Sequence, residues 1–329
     1  MTMLALSPAD CRKPRFHTVE GRRRTAALRA KDAGLPLLRP DAEGDRRLNR
    51  RPVRKACVVR GLLLLPLQTL LCSNGRVTKA RELAAEHQSL KEVSLMRDGK
   101  KVLESERIGD VIKTALPGDA ISIGPGLYKE RIIINIPITL FASGQGVEVQ
   151  HETEDPYEST VVVQVPSGQA QMKGITVRHS SPSVASNYAV RINSGSLRME
   201  NCDVSSSTGS GVGTEGGSVQ IVSCSITSSK RHGVAIFPGL SPTETDSSVR
   251  DSIIRGNGLS GLYIRGDGQE VEVVTSDIVS NSAWGINAAG GGIAKISGCS
   301  RIERNGKGKY KEEADGIIRI NTHTQSCNY

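Results

Sequence analysis

The sequence predicts an all-β fold, a parallel β-helix solenoid in which one short unit is stacked on itself. Three observations predict it. First, a motif recurs through the C-terminal half: an aliphatic residue, then Asn or Ser three positions on, then Gly and a second aliphatic. It runs Val204/Ser207/Gly211-Val212, Ile226/Ser229/Gly233-Val234, Ile254/Asn257/Gly261-Leu262, Ile278/Asn281/Gly285-Ile286 and begins again at Ile302/Asn305. The aliphatic starts are 22, 28, 24 and 24 residues apart, a period that marks a solenoid of strand-like units. Second, aromatics make up 3% of the chain while Gly reaches 35 of 329 residues, so a core must come from Val and Ile, which suit strands. Third, a short alternating segment precedes each start: Leu197-Arg-Met199, Val219-Gln-Ile221, Val271-Glu-Val273 and Ala294-Lys-Ile296. Each unit therefore holds about three short strands separated by Gly, Ser or Asn, one coil of the solenoid.

Coils of this kind stack at about 4.8 Å, and each strand finds its hydrogen-bond partners in the coils above and below. Asn257, Asn281 and Asn305 recur at one corner, where Asn is expected to adopt a left-handed conformation and to bond its stacked neighbours. The Gly before each second strand is expected to permit a tight bend. Cys202 and Cys224 stand two residues before their repeat starts, where Ser252 and Ser276 stand in the next copies. That parity points them inward as small core residues, close enough for a disulfide between adjacent coils. The seven cysteines are odd in number and lack C-x-x-C spacing, which argues against a zinc site and a complete disulfide framework. Cys299 lies three after Ile296, so the fifth copy carries one extra residue, expected as a bulge just before Ile302.

The basic charge belongs to the front of the chain. Residues 1–100 carry 22 Lys and Arg against 10 Asp and Glu, whereas residues 101–329 carry 21 against 24. The repeat body thus shows no nucleic-acid footprint. Residues 1–95 read as a basic, largely disordered segment; its Arg22-Arg23-Arg24 and later Arg pairs also fit a targeting or nuclear-localisation signal. Its apolar run, 61–72, is too short for a membrane span and contains Pro66, and 78–90 reads as a short polar helix. The solenoid domain is assigned to 96–329, with order expected from near Val102. Ile108, Val111, Ile112 and Ala115 form one apolar helical face, stopped by Pro117-Gly118-Asp119. This helix is read as the cap of the solenoid's first coil. Strands follow at Ile121-Ser-Ile123, Ile132-Ile-Ile134, Ile138-Thr-Leu140 and Val147-Glu-Val149, and 151–159 reads as an acidic loop.

The stretch from Ile112 through Ala115-Leu-Pro117-Gly118-Asp119 to Gly126-Leu-Tyr128-Lys-Glu130 resembles the opening coil of the right-handed parallel β-helix, or pectin-lyase-like, superfamily. The later Asn and Gly-aliphatic units are similar to that superfamily's repeat, and the resemblance covers roughly residues 102–325. Within it the chain looks closest to the β-helix F-box-only proteins and the SHC SH2-domain-binding proteins. That resemblance implies an intracellular, non-catalytic scaffold for a protein partner, in ubiquitin-ligase or signalling complexes. The first 100 residues show no F-box, because their leucine run lacks the alternating Leu/Ile pattern and terminal Trp. The alternative is a polysaccharide-binding or polysaccharide-cleaving enzyme of the same superfamily.

Cleavage needs paired carboxylates on neighbouring coils. Asp203 and Asp277 share a repeat position but are three coils, about 14 Å, apart, and Ser225 and Ile253 lie between them. Arg231-His232-Gly233 keeps only the last two residues of a G-H-G signature. The sequence shows no metal cluster and calls for no cofactor. A better candidate comes from the outward columns after each Gly-aliphatic pair. These bring Phe237, Tyr263, Arg265 and Trp284 onto one face, with His232 at its edge. Trp, Tyr and Arg are common binding anchors, so this patch is the expected contact of a protein partner, with carbohydrate as the other ligand class. The alternative is that the long loop 238–248 covers it. No membrane contact is expected, and the chain is expected to be a monomer.

Overall fold

The computed structural model describes residues 91–321 apart from 156, 183–186 and 240–244. The basic segment, the apolar run and the 78–90 helix lie outside those residues. Each coil lays one strand in each of three parallel sheets. Sheet I holds eight strands: Gly126–Lys129, Val147–Glu152, Thr176–Ser180, Asp203–Ser206, Ser225–Thr227, Ile253–Arg255, Asp277–Val279 and Arg301–Glu303. Sheet II runs from Ile132–Ile134 to Gly308–Glu313, and sheet III from Ala120–Ile123 to Ile317–Ile320. The fold is the right-handed parallel β-helix that the sequence implied, with about eight coils. No helix among the described residues is long and apolar enough to cross a membrane.

The repeat's aliphatic starts form the core. Val149, Val177, Val204, Ile226, Ile254, Ile278 and Ile302 pair in register through sheet I, none more than 4% exposed. Each contributes on the order of 1.5–3 kcal/mol by leaving water. Cys202 and Cys224 are buried as expected, but they are free thiols; the Cys202 amide donates to Cys224 Sγ at 3.4 Å. They begin a ladder of small side chains that continues through Ser252, Ser276 and Ser300, each accepting from the backbone N–H one coil back. Ser300, not Cys299, occupies this ladder. The extra residue of the fifth copy is therefore Cys299 itself, two positions before Arg301–Glu303.

The corners correct two expectations. The Asn ladder exists: Asn281 Oδ1 accepts from the amide and side-chain nitrogens of Asn257, and Asn305 Oδ1 does the same for Asn281. The left-handed residue, however, is the one before each Asn: Gly256 (φ 67°), Ser280 (56°) and Arg304 (55°). Asn stays in ordinary backbone because its role is to aim a side chain along the stack. A second left-handed corner precedes the small-residue ladder at Asn201, Ser223, Asp251 and Thr275. The repeat glycines Gly233, Gly261 and Gly285 are likewise absent from the positive-φ residues. They are required for space: a Cβ at Gly261 would stand 2.7 Å from the Asn281 amide nitrogen and press into the Ile278 methyl.

The first coil is covered by more than the expected helix. Strand β1 (Val93–Arg97) and strand β2 (Lys100–Ser105) form a hairpin, and β1 pairs antiparallel with β3 (Ala120–Ile123), closing that sheet's edge. Helix α1 (Ile108–Thr114) buries Ile108, Val111 and Ile112 against this hairpin. Its N-terminus lacks a local side-chain cap. The buried Glu130 caps it from a distance, accepting from the Ile108 and Gly109 amides at 2.9 Å each. Asp119 accepts from the Leu116 amide at 2.8 Å and pairs with Arg97 at 2.7 Å, which fixes the turn after the helix.

Candidate functional site

Sheet II carries the aromatic face. The His232 and Tyr263 rings stack at 4.7 Å and 13°, and Phe237 meets Tyr263 edge-on at 5.7 Å. All three side chains are half-buried. Burial, and then the Arg231 charge, pull the His232 imidazole down to about 4, so it is neutral at pH 7, and its Nδ1 has no hydrogen-bond partner. Arg265 is exposed, on the strand paired with that of Phe237. Trp284 does not join the cluster. Its ring leans over Gly308 of the next coil, 3.0 Å from where a Cβ would stand, with Lys311 Nζ 5.9 Å from its centroid. Beside the cluster, Tyr188 donates to Glu215 at 3.0 Å, and Glu215 also pairs with Arg191. Burial, and then the Glu215 charge, push the Tyr188 phenol up.

A second surface was not read from the sequence. In sheet III the outward column runs Arg198, Gln220, Ser248, Glu272, Lys295, each paired in register with the next. The residues 245–248, expected as loop, belong to strand Thr245–Arg250. Ser248 is the short member of a column of long side chains, so a groove of about 460 Å³ opens over it. Its walls hold three cations, Arg198, Arg250 and Lys295, and two carboxylates, Glu270 and Glu272. Arg250 pairs with Glu272, Lys295 with Glu270, and Arg198 with Glu200 while also donating to Gln220 at 3.2 Å. The signal was present in the middle residues of the alternating segments, Arg198, Gln220, Glu272 and Lys295. The missing step was the strand at 245–250, which holds one aliphatic, Val249, in an otherwise polar stretch.

The two carboxylates that share a repeat position are each held by an arginine. Asp203 pairs with Arg178 at 3.1 Å and Asp277 with Arg301 at 2.5 Å. Glu158 meets Thr153, His151 and Arg131 within 3.0 Å, and these contacts, the Thr153 and His151 hydrogen bonds first, hold it below the usual carboxylate range. Among the described residues, every Asp or Glu whose pKa is displaced is displaced downward: Glu92, Asp110, Asp119, Glu158, Glu200 and Glu313. Among those residues, no three His, Cys, Asp or Glu come together to hold a metal ion.

No protein-family model matches the chain, and no curated protein matches it. Among solved structures it is similar to the alginate lyase from Paenibacillus sp. str. FPU-7, at 13% identity over 67% of this chain and 96% of that one, with a TM-score of 0.33. It is also similar to the deglycosylated pectin methylesterase from Aspergillus niger, at 16% identity over 68% and 87%, TM-score 0.29. The A-module of the Azotobacter vinelandii mannuronan C-5 epimerase gives 11% identity over 67% and 94%, TM-score 0.23. These likenesses carry no residue-level correspondence, and they lend no support to a nearer relationship with the F-box-only proteins.

Proposed function

We propose that the protein is a non-catalytic binder of a neutral, hydroxyl-rich carbohydrate chain, held along the serine-floored groove of sheet III. The observation that carries this reading is the groove's lining. Ser248 leaves room, Gln220 offers an amide, and the Arg250–Glu272 and Lys295–Glu270 pairs present donors and acceptors already fixed by each other. Such groups can bond vicinal hydroxyls without first being ordered. Each of the three lining cations meets a carboxylate, so little of the lining's net charge of +1 is left free to offset a uronate polymer. Glycoside cleavage needs two carboxyls free to act on the bond, whereas the groove's Glu270 and Glu272 are each taken up in an ion pair with Lys295 and Arg250. The test is a carbohydrate array of neutral and uronate polymers probed with the intact protein. Binding to neutral chains without loss of chain length supports the reading; uronate-selective binding, or shortening of any polymer, overturns it.

A second reading is favoured by the aromatic cluster. His232, Phe237 and Tyr263, with Arg265 exposed beside them, have the composition of a protein-docking anchor. Here the partner would be a protein, and Tyr263→Ala with Arg265→Ala should abolish its capture while leaving the thermal midpoint nearly unchanged. A large fall in that midpoint would assign both residues to folding.

A further inference from the structure

We infer that the corner between sheets I and II docks an extended acidic segment of another protein, one with acidic side chains at i and i+4 and an apolar one at i+2. Four residues stack there, one per coil. The Leu259 amide donates to the Arg231 carbonyl at 2.8 Å, the Ala283 amide to the Leu259 carbonyl at 3.1 Å, and the Lys307 amide to the Ala283 carbonyl at 2.8 Å. Arg231 and Lys307 are exposed at the two ends of this column. Leu259, 36% exposed, and the short Ala283 lie between them, and Trp284 stands half-buried beside Ala283. The corner therefore presents an apolar middle bracketed by cations.

Charge names the occupant. Lys230 precedes Arg231, and Arg304 and Lys309 flank Lys307 in the last coil, all of them exposed. Among the described residues no carboxylate pairs with Lys230, Lys307 or Lys309, while Arg304 meets Glu303 at 3.6 Å. The groove of sheet III is the opposite case, since each of its cations meets a carboxylate. Cations left without carboxylates on one ridge draw an acidic partner and repel a basic one. Leucine and tryptophan at their centre supply the apolar contact that anchors it. A nucleic acid strand fits less well, because its bases need ring faces on which to stack. The one ring here leans over Gly308 with Lys311 Nζ 5.9 Å from its centroid.

The spacing follows from the coil. Arg231 and Lys307 are three coil steps apart, about 14 Å. An extended chain rises about 3.4 Å per residue and turns alternate side chains to one side. Positions i and i+4 of such a segment are therefore also about 14 Å apart, and i+2 faces the same way. Laid along the solenoid axis, the two acidic groups meet Arg231 and Lys307 and the apolar group meets Leu259 and Trp284. The class of partner is that of the second reading above, but the surface is the corner rather than the aromatic cluster, and the inference depends on neither reading of the function.

Trp284 is the chain's single tryptophan, so its emission reports this corner directly. The full chain is titrated at low salt with the peptide Glu-Ser-Leu-Ser-Glu, blocked at both ends. A saturable change in emission is expected, with affinity about tenfold lower when the peptide's Leu is replaced by Ser and falling as salt is raised. Arg231→Glu with Lys307→Glu should lose the acidic peptide about tenfold and bind Lys-Ser-Leu-Ser-Lys in its place, which also shows that the variant is folded. No emission change, equal binding of the Leu-free peptide, or failure of the charge-swapped pair to bind overturns the proposal. Tighter binding of an oligothymidylate overturns it in favour of nucleic acid. Loss of the peptide on Tyr263→Ala with Arg265→Ala, while the corner variant still binds it, overturns it in favour of the aromatic cluster.

Discussion

Removing one rung of the Asn ladder should destabilise the solenoid more than any surface change. Asn281 is 1% exposed and its side chain makes four hydrogen bonds. Oδ1 accepts from the Asn257 amide at 3.1 Å and from Asn257 Nδ2 at 2.9 Å; Nδ2 donates to the Ile254 carbonyl at 3.2 Å and to Asn305 Oδ1 at 3.0 Å. At about 1 kcal/mol net each, Asn281→Ala loses roughly 4 kcal/mol, and the stranded Asn257 amide keeps the estimate from falling. With a urea m-value of roughly 2–3 kcal/mol/M, the midpoint should drop by about 1.3–2 M. Asn305→Ala, at the half-exposed end of the same ladder, should lose only about 1–2 kcal/mol, because water can replace part of what is removed. Urea unfolding followed by far-UV circular dichroism measures both. A loss under 1 kcal/mol for Asn281→Ala, or equal losses for the two variants, would refute the view that the ladder bonds hold the corner.

Three further outcomes follow from the same geometry. Glu130→Ala should lower stability by roughly 2–3 kcal/mol in thermal unfolding, since it strips two charge-assisted bonds from the start of α1, while Glu130→Gln should recover part of the loss. Thr275, a β-branched residue at φ 46°, should gain about 0.5–1 kcal/mol on mutation to Gly, the residue already at the equivalent corner as Gly174; no gain would mean the corner is unstrained. His179 and His232 are each held down to about 4 by burial, so the unfolded chain binds protons first as the pH falls. Stability should therefore decline from pH 6.5 to 4 and then level for these two groups, by roughly 3 kcal/mol apiece, and His179→Asn should remove about half of that slope; a flat profile over this window contradicts the assignment.

The inward residues were legible because the stack imposes a period on them: Val204, Ile226, Ile254, Ile278 and Ile302 can occupy one buried column only if they recur coil after coil. What breaks the period was not. The β1–β2 hairpin has no repeat to announce it, and the strand holding Ser248 lacks apolar alternation. The left-handed corner was placed one residue late because Asn is the residue type usually found there, whereas here the ladder needs Asn in the next position. Phe237, Tyr263 and His232 come together as their columns predict. Trp284 departs because its ring direction is set by the space over Gly308, a residue 24 positions later.

The groove itself can be tested by one substitution. Ser248 faces outward between Gln220 and Glu272, so Ser248→Trp should fill the groove without disturbing the core. Calorimetric titration with a neutral oligosaccharide chosen from the array should show at least a tenfold loss of affinity for Ser248→Trp and none for Tyr263→Ala. Unchanged binding by Ser248→Trp, with loss on Tyr263→Ala, would contradict the account and place the ligand on the aromatic face.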